Sequence, residues 1–286
     1  MGKEYYLERN GILDINVKLN FEELKESFYE IVKQHQLRGE LDIAFNGITA
    51  SINGEAPKYQ SPTLTPSPAI FFRREMGDSK FKDIENTYKD YTEEQLFTMI
   101  EIIYDHLAIY NFEDEEIVSE EVKKTFSKDI NAILKNYKEG YILNEKHGFV
   151  MENLNDSIKE LINEKEPANM EGEVLSRYHF ALKKYYRAGS DLEEKHSAIQ
   201  KLALITESFR DELKKIWDSN VGNTMDHDTL LFQVVNKFDI RHDNDKQLRD
   251  YTKEIWYDWM IQYHASIIIT YYRLLQKYDE NNELLF

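Results

Sequence analysis

A chain of 286 residues that is 41% hydrophobic and 13% aromatic has material for one or two buried cores and is too apolar to be a disordered tail. It contains no cysteine, which excludes disulfides, thiolate metal sites and cysteine nucleophiles. The formal charge of −17 lies mostly in residues 1–170, while 171–286 is nearly balanced; an extended, sequence-independent nucleic-acid surface is thereby excluded, but a local basic site is not.

The opening Met1-Gly2-Lys3-Glu4-Tyr5-Tyr6 has no apolar run of the secretory kind, and Tyr6 stands where a myristoylation signal needs Ser or Thr. Leu13, Ile15, Val17 and Leu19 alternate like a strand after Asn10-Gly11. Asn20 with Glu23 then reads as a capping box that opens a helix. Leu41, Ile43 and Phe45 alternate, Asn46-Gly47 supplies a type I′ turn, and Ile48, Ala50 and Ile52 alternate again, which predicts a hairpin. Four of the five prolines fall within Ala56–Pro68, so this stretch is expected as a loop.

Helical periodicity takes over from there. Thr92-x-x-Gln95 opens a helix with Leu96, Ile100, Ile103 and Leu107 on one face. Ser119 precedes a second, with Val122, Phe126, Ile130, Ile133 and Tyr137 inward, and Asn155 a shorter one carrying Ile158, Leu161 and Ile162. Pro167 and Gly172 bracket a polar break, taken as the domain boundary. Beyond it four helices are expected. The first carries Val174, Tyr178, Leu182 and Tyr185. The second, behind a Ser190/Glu193 capping box, has Leu192, Ile199, Leu202, Phe209, Leu213 and Ile216 inward. The third holds Leu230, Leu231, Val234 and Phe238, and the last Ile255, Trp259, Ile267, Leu274 and Tyr278. Fold class is thus mainly α: a small N-terminal α+β module with further helices over 1–170, and an antiparallel four-helix bundle over 171–286. Asp258, Gln262, His264 and Arg273 would be costly in lipid, so the apolar run Trp256–Leu275 reads as a core helix and the chain as cytoplasmic, without membrane contact.

The chemistry concentrates between the last two helices, in Phe238-Asp239-Ile240-Arg241-His242-Asp243-Asn244-Asp245-Lys246-Gln247. Arg241 offers a rigid fork for a phosphate, and His242 can move a proton near neutral pH without a metal. Together they suffice for metal-independent RNA cleavage, with Asp243 or Asp245 orienting the imidazole and Asn244 or Gln247 holding a base or phosphate oxygen. A structural role competes, because cations and turn residues suit a helix end on their own account. Asp226-His227-Asp228 with His196 and Asp258 forms a second constellation that a divalent cation could use, although capping explains the acidic residues as well. His179 and His264 read as hydrogen-bonded core histidines. Arg73-Arg74 reads as an exposed salt-bridged face, and Tyr185-Tyr186, Trp256-Tyr257, Trp259, Tyr263 and Tyr271-Tyr272 as core and dimer surface before a stacking platform for bases. No phosphate loop, dinucleotide fingerprint or nucleophile elbow is present in the sequence.

Ala198-Ile199-Gln200-Lys201-Leu202-Ala203, Leu230-Leu231-Phe232, Val235-Asn236-Lys237-Phe238-Asp239-Ile240-Arg241-His242 and Ile255-Trp256-Tyr257-Asp258-Trp259 together resemble a bacterial HEPN-like family of helical and abortive-infection proteins. The resemblance spans about residues 178–276. It implies a helical bundle, often dimeric, with Arg and His at a shared cleft and, in toxin or phage-defence systems, ribonuclease activity that needs no cofactor. RNA at a local site, another defence or phage protein, and a second copy of the chain are the partners it implies. The HEPN ribonuclease pattern separates its Arg and His by several residues, whereas here they are adjacent. His242 would then act from the partner chain or from an unusual turn. The alternative is a non-catalytic regulatory or adaptor protein that binds a partner through its acidic N-terminal module.

Overall fold

The computed structural model describes residues 6–10, 18–43, 67–111, 113, 116–154, 156–221, 231, 233–234, 236–238, 240 and 251–283. These residues are mainly helical, with small antiparallel sheets, and the chain divides into two compact units, Met1–Asn153 and Leu154–Phe286.

The first unit carries helices α1 (Tyr6–Arg9), α2 (Phe21–Leu37), α3 (Pro68–Met76), α4 (Ile84–Thr87), α5 (Glu93–His106) and α6 (Glu120–Leu134), with hairpins β1 (Ile109–Asn111)–β2 (Glu116–Val118) and β3 (Tyr141–Asn144)–β4 (Phe149–Glu152). Both capping boxes expected in this unit form. The Asn20 side chain accepts from Glu23 N at 3.0 Å while Glu23 accepts from Asn20 N at 2.8 Å, and Thr92 and Gln95 exchange the same pair. Leu24, Phe28 and Val32 of α2, Leu96, Ile100 and Ile103 of α5, and Phe126, Ile130 and Leu134 of α6 make the core, because their spacing puts them on one face of each helix.

Neither described hairpin was foreseen, and both are too short to show an alternation. The second is held by helix side chains. Asn131 of α6 donates to Leu143 O at 3.1 Å and accepts from Leu143 N at 2.6 Å, so one amide pairs with β3 as a neighbouring strand would. Glu101 of α5 accepts from Val150 N of β4 at 3.0 Å. The turn needs Gly148, since its φ is +66° and a Cβ there would stand 2.9 Å from Asp105 Oδ1.

The expected strand through Leu41 and Ile43 is corrected in part: Asp42 and Ile43 are helical, because the chain turns back after α2 through Gly39 at φ +74°. Asn46-Gly47, most of the proline-rich stretch and the Leu13–Val17 alternation lie outside the described residues. Leu19 makes an isolated parallel bridge to Tyr137.

The second unit contains α7 (Asp156–Asn163), α8 (Gly172–Tyr186), α9 (Leu192–Ser208), α10 (Arg210–Val221) and α11 (Lys253–Glu283). Helix α9 packs against α8 and α11, and α11 also meets α7, α8 and α10. Tyr178, Leu182 and Tyr185, Ile199 and Leu202, and Met260, Ile261 and Ile268 fill the interior. Three sequence readings shift. The cap of α9 is Asp191, which accepts from Glu194 N at 2.8 Å, one residue beyond the expected Ser190. The long second helix is two, broken at Phe209, whose ring lies flat on Tyr271 with centroids 4.0 Å apart. The inward face of α11 is as expected at Ile267 but not elsewhere: Tyr257, Met260, Ile261, His264 and Ile268 are buried with it, whereas Ile255, Trp259 and Tyr278 are exposed. Bulky and polar residues are interspersed around this helix, so its sequence carries little angular signal and its neighbours choose the buried face.

Candidate functional site

The sequence places the Arg-His segment between two described points of the second unit. The helical residues Leu231, Val234, Asn236 and Lys237 lead to Phe238, and Leu231, Val234 and Ile240 are buried. The chain is next described at Tyr251, two residues before α11. Phe238 and Tyr251 are joined, because the Tyr251 hydroxyl donates to Phe238 O at 2.8 Å and the two rings meet edge-on at 5.1 Å. Phe238 also packs on Trp256 at 4.7 Å. Arg241, His242, Asp243, Asn244 and Gln247 themselves lie outside the described residues.

An aromatic row stands on α11 beside this join. Trp256 and Trp259 meet edge-on at 5.8 Å, and Trp259 lies flat on Tyr263, centroids 5.0 Å apart and 11° from parallel. Both tryptophans are about 40% exposed. Part of each indole is therefore open to solvent, so of the two roles read from sequence, core or dimer surface, these two residues do not take the first.

Polar groups gather near the start of α11. The Tyr185 hydroxyl of α8 donates to Asp258 Oδ1 at 2.6 Å, and Lys195 of α9 lies over the same ring at 5.3 Å. Burial, and then the Asp258 carboxylate, push the Tyr185 hydroxyl far above the ordinary phenol range. It is therefore a fixed donor and not a base. The ring of His196 lies 5.9 Å from that of Tyr257. Of the metal constellation suggested by sequence, Asp258 is thus held by Tyr185, His196 lies against an aromatic ring, and Asp226, His227 and Asp228 fall outside the described residues.

The other described histidines are engaged in ways that sequence could not specify. His179 Nε2 meets Glu166 Oε1 at 2.6 Å. His264 is fully buried, with Nδ1 3.4 Å from Thr206 Oγ1 and Nε2 without a hydrogen-bond partner. Burial lowers it to about 4, so it is neutral in the folded state at physiological pH. In the first unit the buried His35 pairs through Nδ1 with Glu40, and its Nε2 lies 3.9 Å from Asp129 Oδ2. Glu93 collects the Tyr137 hydroxyl and Lys138 Nζ, the latter at 2.5 Å; burial, and then Glu93, push Tyr137 up to about 12. Arg74 pairs with Glu75 at 2.8 Å, as expected of a salt-bridged face, whereas Arg73 donates to Phe81 O at 2.6 Å.

No family model, curated protein or solved structure matches the chain. Among the described residues no helix is long and apolar enough to cross a membrane.

Proposed function

We propose that the protein is a HEPN-like defence or toxin protein whose C-terminal bundle cleaves RNA without a metal. Arg241 holds the scissile phosphate and steadies the charge of the phosphorane. His242 takes the proton of the attacking 2′-hydroxyl or returns one to the departing 5′-oxygen. Asp243, Asn244 and Gln247 support the pair and hold the substrate. Cleavage by this route leaves a 2′,3′-cyclic phosphate and a 5′-hydroxyl, since the nucleophile belongs to the RNA itself.

The observation that supports the reading best is the hydrogen-bonded join of Phe238 to Tyr251. It closes the ends of the segment carrying Arg241 and His242 beside two half-open tryptophans, where an unpaired base could stack. Because adjacent residues diverge in direction, a productive Arg-His pair would draw one member from a second copy of the chain, and we include a homodimer in the proposal.

The test is cleavage of tRNA and mRNA in EDTA by the wild type, Arg241→Ala and His242→Ala. Loss of cleavage in both variants, with cyclic-phosphate ends from the wild type, supports the assignment. Cleavage that survives both substitutions overturns the site, and cleavage abolished by EDTA overturns the metal-free route. A wild type that cleaves neither RNA leaves the regulatory alternative, in which the acidic N-terminal module binds a basic protein partner.

A further inference from the structure

The first unit holds a cleft of about 300 Å³ that owes nothing to the Arg-His segment. Its floor is apolar: Val32 of α2, Phe72 of α3 and Phe81 in the following loop are all buried, and Ile84 of α4 is half-buried. The floor is braced from several sides. Phe72 and Phe81 pack with ring centroids 5.0 Å apart, and Arg73 donates to the Phe81 carbonyl at 2.6 Å. On the α2 wall, Tyr29 is stacked on Tyr88 at 4.4 Å, with the rings 4° from parallel. The buried Lys25 donates to Lys89 O, which ties α2 to the turn that carries Tyr88. A cleft braced in this way exists before any ligand arrives, which lowers the cost of binding.

The rim has the opposite character. Asp42, Asp83 and Glu85 bring three carboxylates to it against the single ammonium of Lys82. Asp83 is committed to the start of α4, accepting from Asn86 N at 2.8 Å, while burial, and then the nearby Glu85 carboxylate, push the Tyr29 hydroxyl above its ordinary value. Asp42 and Glu85 are exposed and stand at the mouth above the aromatic floor. The volume lies at the lower end of the range for ligand cavities, enough for one or two fused rings.

We propose that this cleft is a binding site for a small organic cation, a flat ring bearing an ammonium group. The ring lies between the half-buried Tyr29, Ala69 and Ile84, over the buried floor, and the ammonium faces Asp42 and Glu85. A hydrophobic crevice without charge preference would take the neutral ring equally well. The acidic rim is what commits the site to a cation.

Tryptamine and tryptophol test this as a pair, because they share the indole and differ in ammonium against hydroxyl. Titration calorimetry of the full chain is expected to give saturable one-to-one binding of tryptamine, weakened by added salt, with tryptophol at least tenfold weaker. Ala69→Trp, which places an indole from α3 into the cleft, is expected to abolish tryptamine binding. The double variant Asp42→Asn, Glu85→Gln changes two exposed groups and leaves the packing alone, and should weaken tryptamine about tenfold while leaving tryptophol unchanged. If circular dichroism shows that Ala69→Trp is misfolded, the double variant decides. Equal affinity for the two probes, no saturable binding of either at millimolar concentration, or tryptamine binding unmoved by the double variant overturns the assignment. None of these outcomes bears on RNA cleavage, whose test uses other residues and another readout.

Discussion

His264 makes the second unit sensitive to acid by an amount that can be worked out. The imidazole sits between α9 and α11 with no exposed surface. The Thr206 hydroxyl gives its proton to Ala203 O at 2.8 Å, so Nδ1–H is the group directed at Thr206 Oγ1 and Nε2 keeps a bare lone pair. Burial lowers the folded-state value from 6.5 to about 4. Above about pH 6.5 both the folded and the unfolded chain hold this histidine neutral, and the fold keeps its full stability. Between 6.5 and 4 the unfolded chain takes up the proton and the folded one does not, so stability falls with pH. The whole drop is about 3 kcal/mol, from a shift of about 2.5 units at 1.36 kcal/mol each. His264→Leu removes the titration together with the orphaned nitrogen. It should lie within about 1 kcal/mol of the wild type at pH 7.5 and exceed it by about 2–3 kcal/mol at pH 4.5. The chain has three tryptophans, Trp217, Trp256 and Trp259, all in Leu154–Phe286, so urea unfolding followed by tryptophan emission reports on this unit. Parallel pH curves for the wild type and His264→Leu would refute the reasoning, since every other titrating group is common to both.

Further expectations follow from the first unit. Gly148→Ala forces an L-residue to φ +66° and a Cβ to within 2.9 Å of Asp105, and should cost about 1–3 kcal/mol in thermal unfolding, where a neutral result would discount the close approach. Asn131→Leu keeps the side chain's bulk but strips both backbone hydrogen bonds from Leu143; a loss of about 2 kcal/mol is expected, with faster amide exchange confined to β3 and β4. Asn20→Ala removes one half of a capping box and should cost about 1 kcal/mol, measured by chemical denaturation, while Asn20→Asp should restore most of it.

How far the sequence could be read depended on the range of the interaction. The capping boxes at Asn20 and Thr92 were legible because a cap involves only residues three apart. The inward face of α5 and that of α6 as far as Ile130 were legible because charged residues alternate with their apolar stripes at helical spacing, although the last turn of α6 buries Leu134 where Ile133 was expected. The two described hairpins were not, being strands of three or four residues, and β3 and β4 are further held by side chains of α6 and α5. Nor was the buried face of α11 or the break at Phe209, where bulky and polar residues are mixed around the helix and only packing such as that of Phe209 on Tyr271 distinguishes one face from another.

The same division holds for the chemistry. Composition and spacing alone determined a mainly helical, cysteine-free, acidic chain with one concentrated Arg-His segment late in it, because charge, redox capacity and helical period are properties of residues taken singly or within a turn. Which histidine is dry and neutral, which carboxylate holds Tyr185, which tryptophans reach solvent and where a cleft with an acidic rim opens were decided only by tertiary structure. Burial and distance set desolvation and Coulomb energy, and both are created when residues remote in sequence are packed together.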